Sequence, residues 1–288
     1  MAGFKHILFP IDFSDRCCAA VPFVEAMASR YNAKVTLISV AEPMYYAGMG
    51  DPGGPIMINT DMLLLDLKER LDSALTREFA HLHIERVAEI GDPAQVITRL
   101  AHSSGVDLIM MPTHGYGPFR SLLLGSVTAK VLHDAKCPIW TAAHVEERPC
   151  QDHLACRSIL CAVDGTPQSV RLMQWAAGLA SDLGATLRLV HVVAGAERST
   201  HHSFDPGHDQ DAHDRARDAI HKLQETAKVN VPLCIIAGSV ENGVHEEAMR
   251  NGADLVVIGR GVLNETLGRL RTHSYGIIRQ SPSPVLSV

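Results

Sequence analysis

The segment from Met111 to Ser126 carries residues whose types and spacing suit anion binding. It reads MPTHGYGPFRSLLLGS, with Gly115, a nine-residue interval, and then Gly125 and Ser126 where a helix is predicted to begin. A helix N-terminus presents free backbone N–H groups and a partial positive charge, and a glycine there lets a phosphate come close to the backbone. Ser126 adds a hydroxyl donor. The same segment supplies the neighbouring candidates Met111, Pro112, His114 and Val127.

A second group of candidates lies at the ends of two predicted strands. Asp12 follows the apolar run that ends at Pro10 and Ile11, and Val40 ends the next strand. In a doubly wound sheet, ligands bind beyond the carboxyl ends of the strands, where the strand order reverses. The Asp12 carboxylate can accept hydrogen bonds from an adenine amino group or a ribose hydroxyl. The layout therefore suits a nucleotide with its base near Asp12 and Val40 and its phosphates at Gly125, although Asp12 could also cap the following helix.

These candidates belong to a sequence unit that occurs twice. Residues 6–40 can be laid on residues 158–192 without a gap at an offset of 152, so that Asp12 falls on Asp164. Further along the chain the offset becomes 147, and it is 146 at the end. Self-similarity at this length indicates a duplicated domain.

The duplication also predicts the domain boundaries. The first copy is longer by one connection, Pro43–Asn59, whose Gly and Pro density predicts an irregular surface loop. Between the copies the chain becomes polar and loses its apolar periodicity, as expected of an interdomain connection. We expect a first domain at 1–145, a linker at 146–157 and a second domain at 158–288.

Each copy reads as alternating strands and helices. The runs at 107–111 (DLIMM) and 254–258 (DLVVI) are continuously apolar after the Asp, which is typical of strands covered on both faces. The predicted fold class is therefore α/β, with two tandem doubly wound domains, each a parallel sheet flanked by helices. Strands are predicted at about 6–11, 34–40, 84–90, 107–111 and 138–142 of the first copy, and helices at 59–79 and 209–228.

Composition and charge narrow the partners. The net charge is −6 and the pI is about 6.2, which argues against a nucleic-acid partner. Neither a leader with a cleavage site nor a membrane-length apolar run is found, so we expect a cytoplasmic protein without a membrane partner. Seven cysteines without a C-x-x-C pair do not predict a disulfide framework. No metal site is predicted, because no recognised zinc motif fits the spacing of His201, His202, His208 and His213.

With these motifs in place, the chain resembles a tandem universal stress protein of the UspA type. The loop of that family reads G-x-x-G-x9-G-[S/T], and Gly115, Gly125 and Ser126 match its last three fixed positions. The segments PIDFS, GDP and CP accompany it, and their counterparts recur in order in the second copy, so the resemblance covers nearly the whole chain. One departure is that Pro112 stands where the family has its first loop glycine, which removes an N–H donor and fixes φ.

The resemblance implies an adenine-nucleotide α-hydrolase-like fold, with five parallel strands in the order 3-2-1-4-5 in each domain. It implies ATP as the ligand of the first copy, with Mg²⁺ as its companion ion. It also implies a homodimer or an intramolecular pseudo-dimer. Adenine and ribose would contact residues like Pro10, Asp12 and Val40, and the phosphates residues like Gly115, Gly125 and Ser126.

The second copy departs further from this pattern. Arg271, followed by Thr272, stands where the first copy has Gly125 and Ser126. An arginine side chain there should crowd a phosphate, although its guanidinium could bind an anion itself. Loss of nucleotide binding and altered anion binding therefore both stay open. The candidates for this weaker second site are Asp164, Val192, Gly259, Gly261 and Thr272.

Three functions follow from the sequence. We expect a nucleotide-binding stress-response or signalling protein that changes conformation or partner on binding ATP, without efficient turnover. One alternative is a scaffold with vestigial pockets, whose final apolar strands at 138–142 and 284–288 pack the copies together or pair with another chain. Another is a slow ATPase. No Walker lysine motif and no general base beside a nucleophile is found, so no catalytic residue is predicted.

Overall fold

A computed structural model of the chain describes residues 3–42, 60–113, 124–142, 154–194, 206–260 and 268–288. Its contacts divide into two compact units, one containing Phe4–Ile139 and the other the described residues from Trp140 to Val288. Because Trp140–Ala142 complete the last strand of the first sequence copy, we count the described residues up to Ala142 as the first unit and those from residue 154 onward as the second. The predicted loop Pro43–Asn59 lies outside the described residues. The domain boundaries drawn from the repeat stay a prediction.

Strands and helices alternate strictly in the first unit, as the apolar periodicity predicts. The strand bounds agree with the predicted ones to within one residue. The elements are β1 (His6–Pro10), α1 (Asp15–Tyr31), β2 (Lys34–Ala41), α2 (Thr60–Ser73), β3 (Ile84–Ile90), α3 (Pro93–Ser103), β4 (Leu108–Pro112), α4 (Ser126–Asp134) and β5 (Ile139–Ala142).

The second unit repeats the same succession of elements. Its elements are β6 (Ser158–Ala162), α5 (Gln168–Leu183), β7 (Thr186–Ala194), α6 (Pro206–Ala227), β8 (Leu233–Gly238), α7 (Val240–Arg250), β9 (Leu255–Ile258), α8 (Gly268–Gln280) and β10 (Val285–Ser287). The structure thus confirms that the sequence repeat is a structural one.

The strand order is the same in both units. In the first it is β3-β2-β1-β4-β5, and in the second β8-β7-β6-β9-β10. The pairs β1–β2, β2–β3 and β1–β4 are parallel, as are β6–β7, β7–β8, β6–β9 and β9–β10. The predicted α/β fold with order 3-2-1-4-5 is confirmed. The order reverses between β1 and β4, and between β6 and β9, which places the ligand-binding crevice of such folds at the carboxyl ends of these strands.

The central strands form the core of each unit. Ile7, Leu8 and Phe9 of β1 are fully buried, and Leu255–Ile258 of β9 are at most 3% exposed. Burial of successive residues means that both faces of the sheet are covered, as the uninterrupted apolar runs predict. At about 25 cal/mol for each Å² of apolar surface removed from water, this burial is the main stabilising contribution to each unit.

An aspartate that the repeat matches between the copies fastens the start of the first strand in each unit. Asp107 Oδ2 accepts the backbone N–H groups of Lys5 and His6 at 2.8 and 3.0 Å. Asp254 Oδ2 accepts those of Arg157 and Ser158 at 2.7 and 2.9 Å. The aspartate of the repeated Asp-Leu pair therefore has a structural role, because its carboxylate accepts two backbone N–H groups that the strand pairing leaves without an acceptor.

Helix α2 is shorter than predicted. It ends at Ser73, whereas the leucine spacing predicts a helix to residue 79. Leu67 and Leu71 are buried as predicted, but Leu75 has φ 53, a left-handed conformation in which the helix cannot continue. The spacing of apolar side chains predicts which residues face the core, but it does not predict where the helix ends.

Helix α1 begins at a buried cap. The Ser14 hydroxyl accepts the N–H of Cys17 at 3.2 Å, and Ser14 itself is 5% exposed. We expect Ser14→Ala to lower the free energy of opening α1 by about 1 kcal/mol, the usual cost of losing an N-cap. Hydrogen exchange in α1 measures it. Ser104→Ala is the matched control, because Ser104 is an exposed residue at the end of α3, and an equal loss in that chain would contradict the capping role.

Two further expectations concern membrane spans and cysteines. Among the described helices, none is both long and apolar enough to cross a membrane. None of the cysteines in the described part of the chain is in a disulfide. Burial raises the pKa of Cys161 to about 12, so this thiol stays protonated and serves as a small apolar core residue.

Candidate functional site

The carboxyl ends of β1 and β4 lie side by side in the first unit. Ile7 pairs with Leu108 and Leu8 with Ile109 in parallel register, so the chain leaves both strands at the same edge of the sheet. Pro10 ends β1 and Pro112 ends β4. The two segments predicted to contact the ligand are therefore brought together where the strand order reverses.

The turn after β1 is shaped by Asp12 and Phe13. Asp12 is exposed, and its Oδ1 accepts the N–H of Ser14 at 3.0 Å. The cap of α1 is Ser14, so Asp12 does not cap the helix directly. Phe13 has φ 62, and its ring lies 4.4 Å below the Arg70 guanidinium carbon of α2. This cation–π contact helps to hold a residue in a conformation that non-glycine residues seldom adopt.

Helix α4 begins at the site with an open N-terminus. Gly125 is its N-cap, with φ −56 and ψ 141, and no side chain caps it. Ala129 N–H is bonded to Gly125 O at 2.9 Å, so the preceding N–H groups of Ser126 and Val127 have no partner within the helix. An exposed Ser126 starts the helix. This end of α4 can accept an anion at its backbone, as the glycine and serine predict.

Two hydrogen bonds fasten this helix to the end of β4. Thr128 Oγ1 donates to Pro112 O at 3.1 Å, and Gly125 N–H donates to Thr113 O at 2.9 Å. Both threonines are buried, 3% and 1% exposed. The sequence pattern does not predict their role. The repeat carried a signal for Thr128, because the offset of 146 matches it to another hydroxyl residue, Ser274.

The remaining candidates have distinct places. Ile11 is buried and donates its N–H to Ile38 O at 2.8 Å. Val40 is half-buried and is the last residue but one of β2, and Met111 is buried in β4. The two loop candidates, His114 and Gly115, lie outside the described residues. A binding role for these residues, as for Pro10, Asp12, Gly125, Ser126 and Val127, stays a prediction.

An ion pair holds α3 against α4 beside the site. Asp92 caps α3 by accepting Gln95 N–H at 3.0 Å, and its other oxygen lies 2.9 Å from Lys130 Nζ of α4. The hydrogen bond from Lys130 holds the pKa of Asp92 below its usual range and raises that of Lys130. Lys130 is exposed and Asp92 is only half-buried, so the pair orients the two helices and adds little stability.

In the second unit, the predicted residues line a defined cavity. Its volume is about 240 Å³. Asp164, Val192 and Gly259 all line it, at the carboxyl ends of β6, β7 and β9. Gly261 lies outside the described residues. The cavity occupies the position at which the repeat predicts a second site.

The Asp164 carboxylate accepts more hydrogen bonds than that of Asp12. Its Oδ1 accepts the N–H and hydroxyl of Thr166 at 3.0 and 2.8 Å and the hydroxyl of Ser169 at 2.7 Å. Burial alone would raise the pKa of Asp164, but these hydrogen bonds outweigh it and hold the pKa below its ordinary value. The carboxylate therefore stays ionised and shapes the turn between β6 and α5.

The helix start in the second unit differs from the one expected. Aligning Arg271 and Thr272 with Gly125 and Ser126 predicts a helix beginning there, but α8 begins at Gly268. Residues 271 and 272 lie past the first turn, where backbone N–H groups bond within the helix. The backbone N–H of Thr272 is therefore placed differently from that of Ser126, and a binding role for Thr272 stays a prediction.

Two histidines that the sequence pattern does not predict, His191 and His273, line the second cavity. His191 Nδ1 lies 2.8 Å from Val163 O, and His273 Nδ1 lies 2.7 Å from Glu241 Oε1. Burial raises the pKa of Glu241, but the bond from His273 outweighs it and the pKa is lowered. The repeat does distinguish His191, because the offset of 152 matches it to Ser39. The small side chain of the first copy is thus an imidazole in the second.

The histidines considered as zinc ligands are not assembled in the described region. His213 Nε2 accepts a hydrogen bond from Arg217 at 3.0 Å, one turn further along α6. His201 and His202 lie outside the described residues. No group of three or more His, Cys, Asp or Glu side chains suited to a metal ion occurs in the part of the chain that the structure describes.

Fold and site together define a class: a duplicated doubly wound α/β protein with an open helix N-terminus at the switch point of its first unit. Comparison with known proteins agrees. A model of the universal stress protein family matches residues 3–142 and 156–288. A universal stress protein of Thermus aquaticus is 30% identical over 142 residues, covering 47% of this chain and 96% of its own length. The chain belongs to the universal stress protein family.

Two further relatives show how the duplication compares. A universal stress protein of Methanocaldococcus jannaschii is 30% identical over 139 residues, covering 47% of this chain and 80% of its own length. The crystal structure of a universal stress protein from Archaeoglobus fulgidus shares the fold over 100% of this chain and 97% of its own, with a TM-score of 0.67 and 19% identity. The first relative aligns with about one half of this chain, and the second with all of it.

Proposed function

We propose that the first unit binds an adenine nucleotide, ATP in the first instance, and that binding changes the conformation or the partner of this protein in a stress response. The observation that carries the proposal is the N-terminus of α4, which no side chain of its N-cap covers and which is bonded to the end of β4, at the edge of the sheet where the neighbouring β1 also ends. The backbone N–H groups of Ser126 and Val127 would bind phosphate, and the Asp12 carboxylate would accept hydrogen bonds from the adenosine moiety.

The same residues argue for binding without efficient turnover. Asp12 accepts the N–H of Ser14, and the groups at the start of α4 are hydrogen-bond donors. Hydrolysis needs a base that activates water in line with the terminal phosphate. The donors described here bind and orient an anion. We place any Mg²⁺ among the phosphates, since Mg²⁺ is usually held by one or two carboxylates plus substrate phosphates.

Calorimetry on the full chain tests the proposal. We expect wild-type protein, freed of co-purified ligand, to bind Mg-ATP, and Asp12→Ala to weaken that binding about tenfold, the loss of one hydrogen bond to a charged group. Asp15→Ala is the matched control, because this exposed carboxylate lies three residues away in the first turn of α1. Absence of binding to wild-type protein at millimolar ATP would favour the scaffold. Multiple-turnover release of phosphate would favour the slow ATPase.

The proposal includes the oligomeric state of the protein and its cellular compartment. A homodimer, or pairing of the two units within one chain, is the arrangement we expect, with the cytoplasm as its compartment. Mass measurement in solution, with and without ATP, would show whether ligand binding changes the assembly.

A further inference from the structure

An ion pair that can titrate joins helices α7 and α8 of the second unit. Glu241 lies in the first turn of α7, and His273 lies in α8. His273 Nδ1 is 2.7 Å from Glu241 Oε1, and among the described residues α8 packs chiefly against α7. The Glu241 side chain is 18% exposed and that of His273 is 48% exposed. The carboxylate is therefore held within the contact between the helices, while the imidazole can exchange protons with solvent.

The matching helices of the first unit are joined by a cation that does not titrate near neutral pH. There the pair is Asp92 of the α3 cap with Lys130 of α4. The offset of 147 matches Asp92 to Ser239, an uncharged cap that accepts the N–H of Asn242. The offset of 146 matches Lys130 to Gly276. The second unit thus lacks both partners of the first pair, and a carboxylate and an imidazole at other positions join its helices.

Gly276 lets α8 come close to the carboxylate. A Cβ at this position would lie 2.5 Å from Glu241 Cγ and 2.9 Å from its Oε1, which is too close for any larger residue. A lysine here, as in the first unit, would displace the Glu241 side chain. The glycine and the pair of Glu241 with His273 therefore belong to one arrangement, which replaces the permanent cation of the first unit by a titratable one.

A second histidine joins the same two helices by a bond of another kind. His245 Nδ1 of α7 lies 2.6 Å from Gln280 O of α8. Because a carbonyl only accepts, Nδ1 donates, and a neutral imidazole can make this bond. The pair of His273 with Glu241 differs, since it is an attraction between opposite charges only while the imidazole is protonated, and charge-assisted hydrogen bonds are the stronger ones.

The other charged groups near His273 line the second cavity with it. They are the Asp164 carboxylate and the Arg260 guanidinium, and His191 is a further titratable group there. On α8 itself, Arg279 lies six residues further along. Asp164 and the two arginines keep their charges between about pH 5 and 8, the range in which histidine ordinarily titrates. His191 can titrate in this range, so variants of His273 are needed to separate the two imidazoles.

The direction of the pH effect follows from the two partners. The hydrogen bond from His273 outweighs burial and holds the pKa of Glu241 below its ordinary value of 4.5, so the carboxylate is ionised throughout the range in which histidine titrates. Only the imidazole then changes its charge. A histidine that gains an anionic partner contributes stability at the acidic end of this range, and that contribution is lost as the pH rises.

We propose that the contact between α7 and α8 is proton-dependent: protonated His273 pairs with Glu241 and holds α8 in place, and loss of the proton loosens the helix. In the first unit α4, the counterpart of α8, is held by Lys130 and does not respond. Acidification would then tighten one helix of the second unit and leave its counterpart unchanged. This inference does not depend on nucleotide binding by the first unit.

Hydrogen exchange of the full chain without nucleotide, followed by mass spectrometry from about pH 5.5 to about pH 8, tests the proposal. Each rate is divided by the intrinsic exchange rate at that pH. We expect α8 to be about three- to fivefold more protected at the acidic end, the effect of a charge-assisted hydrogen bond that solvent partly screens. Protection of α4 should be the same at both ends of the range.

Variants assign the effect to one side chain. His273→Lys, which supplies a permanent cation like that of the first unit, should remove the pH dependence of α8. His273→Gln should also remove it and give at every pH the lower protection that wild-type protein has at the alkaline end. His221→Gln is the matched control, because it removes an imidazole from an exposed position of α6 and should keep the wild-type pH dependence.

Three results would overturn the proposal. The first is equal protection of α8 at both ends of the range in wild-type protein, and the second is an equal change in α4. The third is a pH dependence that persists in both His273→Lys and His273→Gln, or that His245→Gln removes and His273→Gln does not, since another group would then be responsible. Because no measurement involves ATP, failure of nucleotide binding in the first unit would leave these outcomes unchanged.

Discussion

The Gly125→Arg chain should bind Mg-ATP about a hundredfold more weakly than wild-type protein and keep its fold. This substitution places in the first unit the residue that the second copy carries at the matching position. Gly125 has φ −56 and ψ 141, which any residue adopts without strain. The expected loss therefore comes from the side chain covering the N–H groups of Ser126 and Val127. Two hydrogen bonds to a charged phosphate correspond to about two orders of magnitude in affinity.

Calorimetry with Mg-ATP measures this loss, and a control variant shows whether it depends on the position of the arginine. Ser104→Arg adds the same side chain at the end of α3, on an exposed residue at the opposite ends of the strands, and should leave ATP affinity unchanged. Hydrogen exchange in α4 and β4 should match the wild-type pattern. Retention of wild-type ATP affinity by Gly125→Arg, with that pattern intact, would show that phosphate is not bound at the start of α4.

The second large effect concerns the turn after β6. Asp164→Ala should lower the free energy of opening the second unit by about 2–3 kcal/mol at pH 7, since it removes the acceptor of three hydrogen bonds and leaves the buried Ser169 hydroxyl without a partner. Asp12→Ala is the internal control. Asp12 accepts the single Ser14 N–H, so its removal should cost the first unit about 1 kcal/mol or less.

The difference between wild type and Asp164→Ala should depend on pH in a defined direction. The folded-state pKa of Asp164 lies below the ordinary value of 3.8. Its stabilisation is therefore complete above the unfolded pKa and is lost as the pH falls through the lower folded pKa. Hydrogen exchange in the second unit measures the free energy of opening of the wild-type and the Asp164→Ala chains at each pH. A gap between the two chains that does not narrow as the solution becomes more acidic than about pH 3.8 would contradict this role of the carboxylate.

The sequence predicted the fold because the fold depends on patterns that are local in the chain. Uninterrupted apolar runs at 107–111 and 254–258 identified strands covered on both faces, and the structure buries them. The repeat indicated that each copy folds in the same way, so residues matched between the copies were expected at equivalent positions of the two units. Asp107 and Asp254 are one such pair, and each bonds to the backbone at the start of the first strand of its unit.

The candidate site was predicted less completely. Asp12, Gly125 and Ser126 follow from spacing, because helix starts and strand ends have sequence signals. Thr128 does not, since a threonine inside a helix has many roles, and only the packing of α4 on β4 brings its hydroxyl to Pro112 O. His191 likewise reads as an ordinary strand residue until the register of β7 beside β6 places its imidazole against Val163 O.

The sequence by itself determined the duplication, the α/β class of both units and the residues suited to a nucleotide in the first. The tertiary structure alone decided which of two similar aspartates accepts more hydrogen bonds in its turn, where α8 begins, and which side chains line the second cavity. The physical reason is one of range. Apolar periodicity and capping act over a few residues, whereas the start of a helix and the lining of a cavity depend on contacts between segments distant in the chain, such as Val163 with His191, or Glu241 with His273.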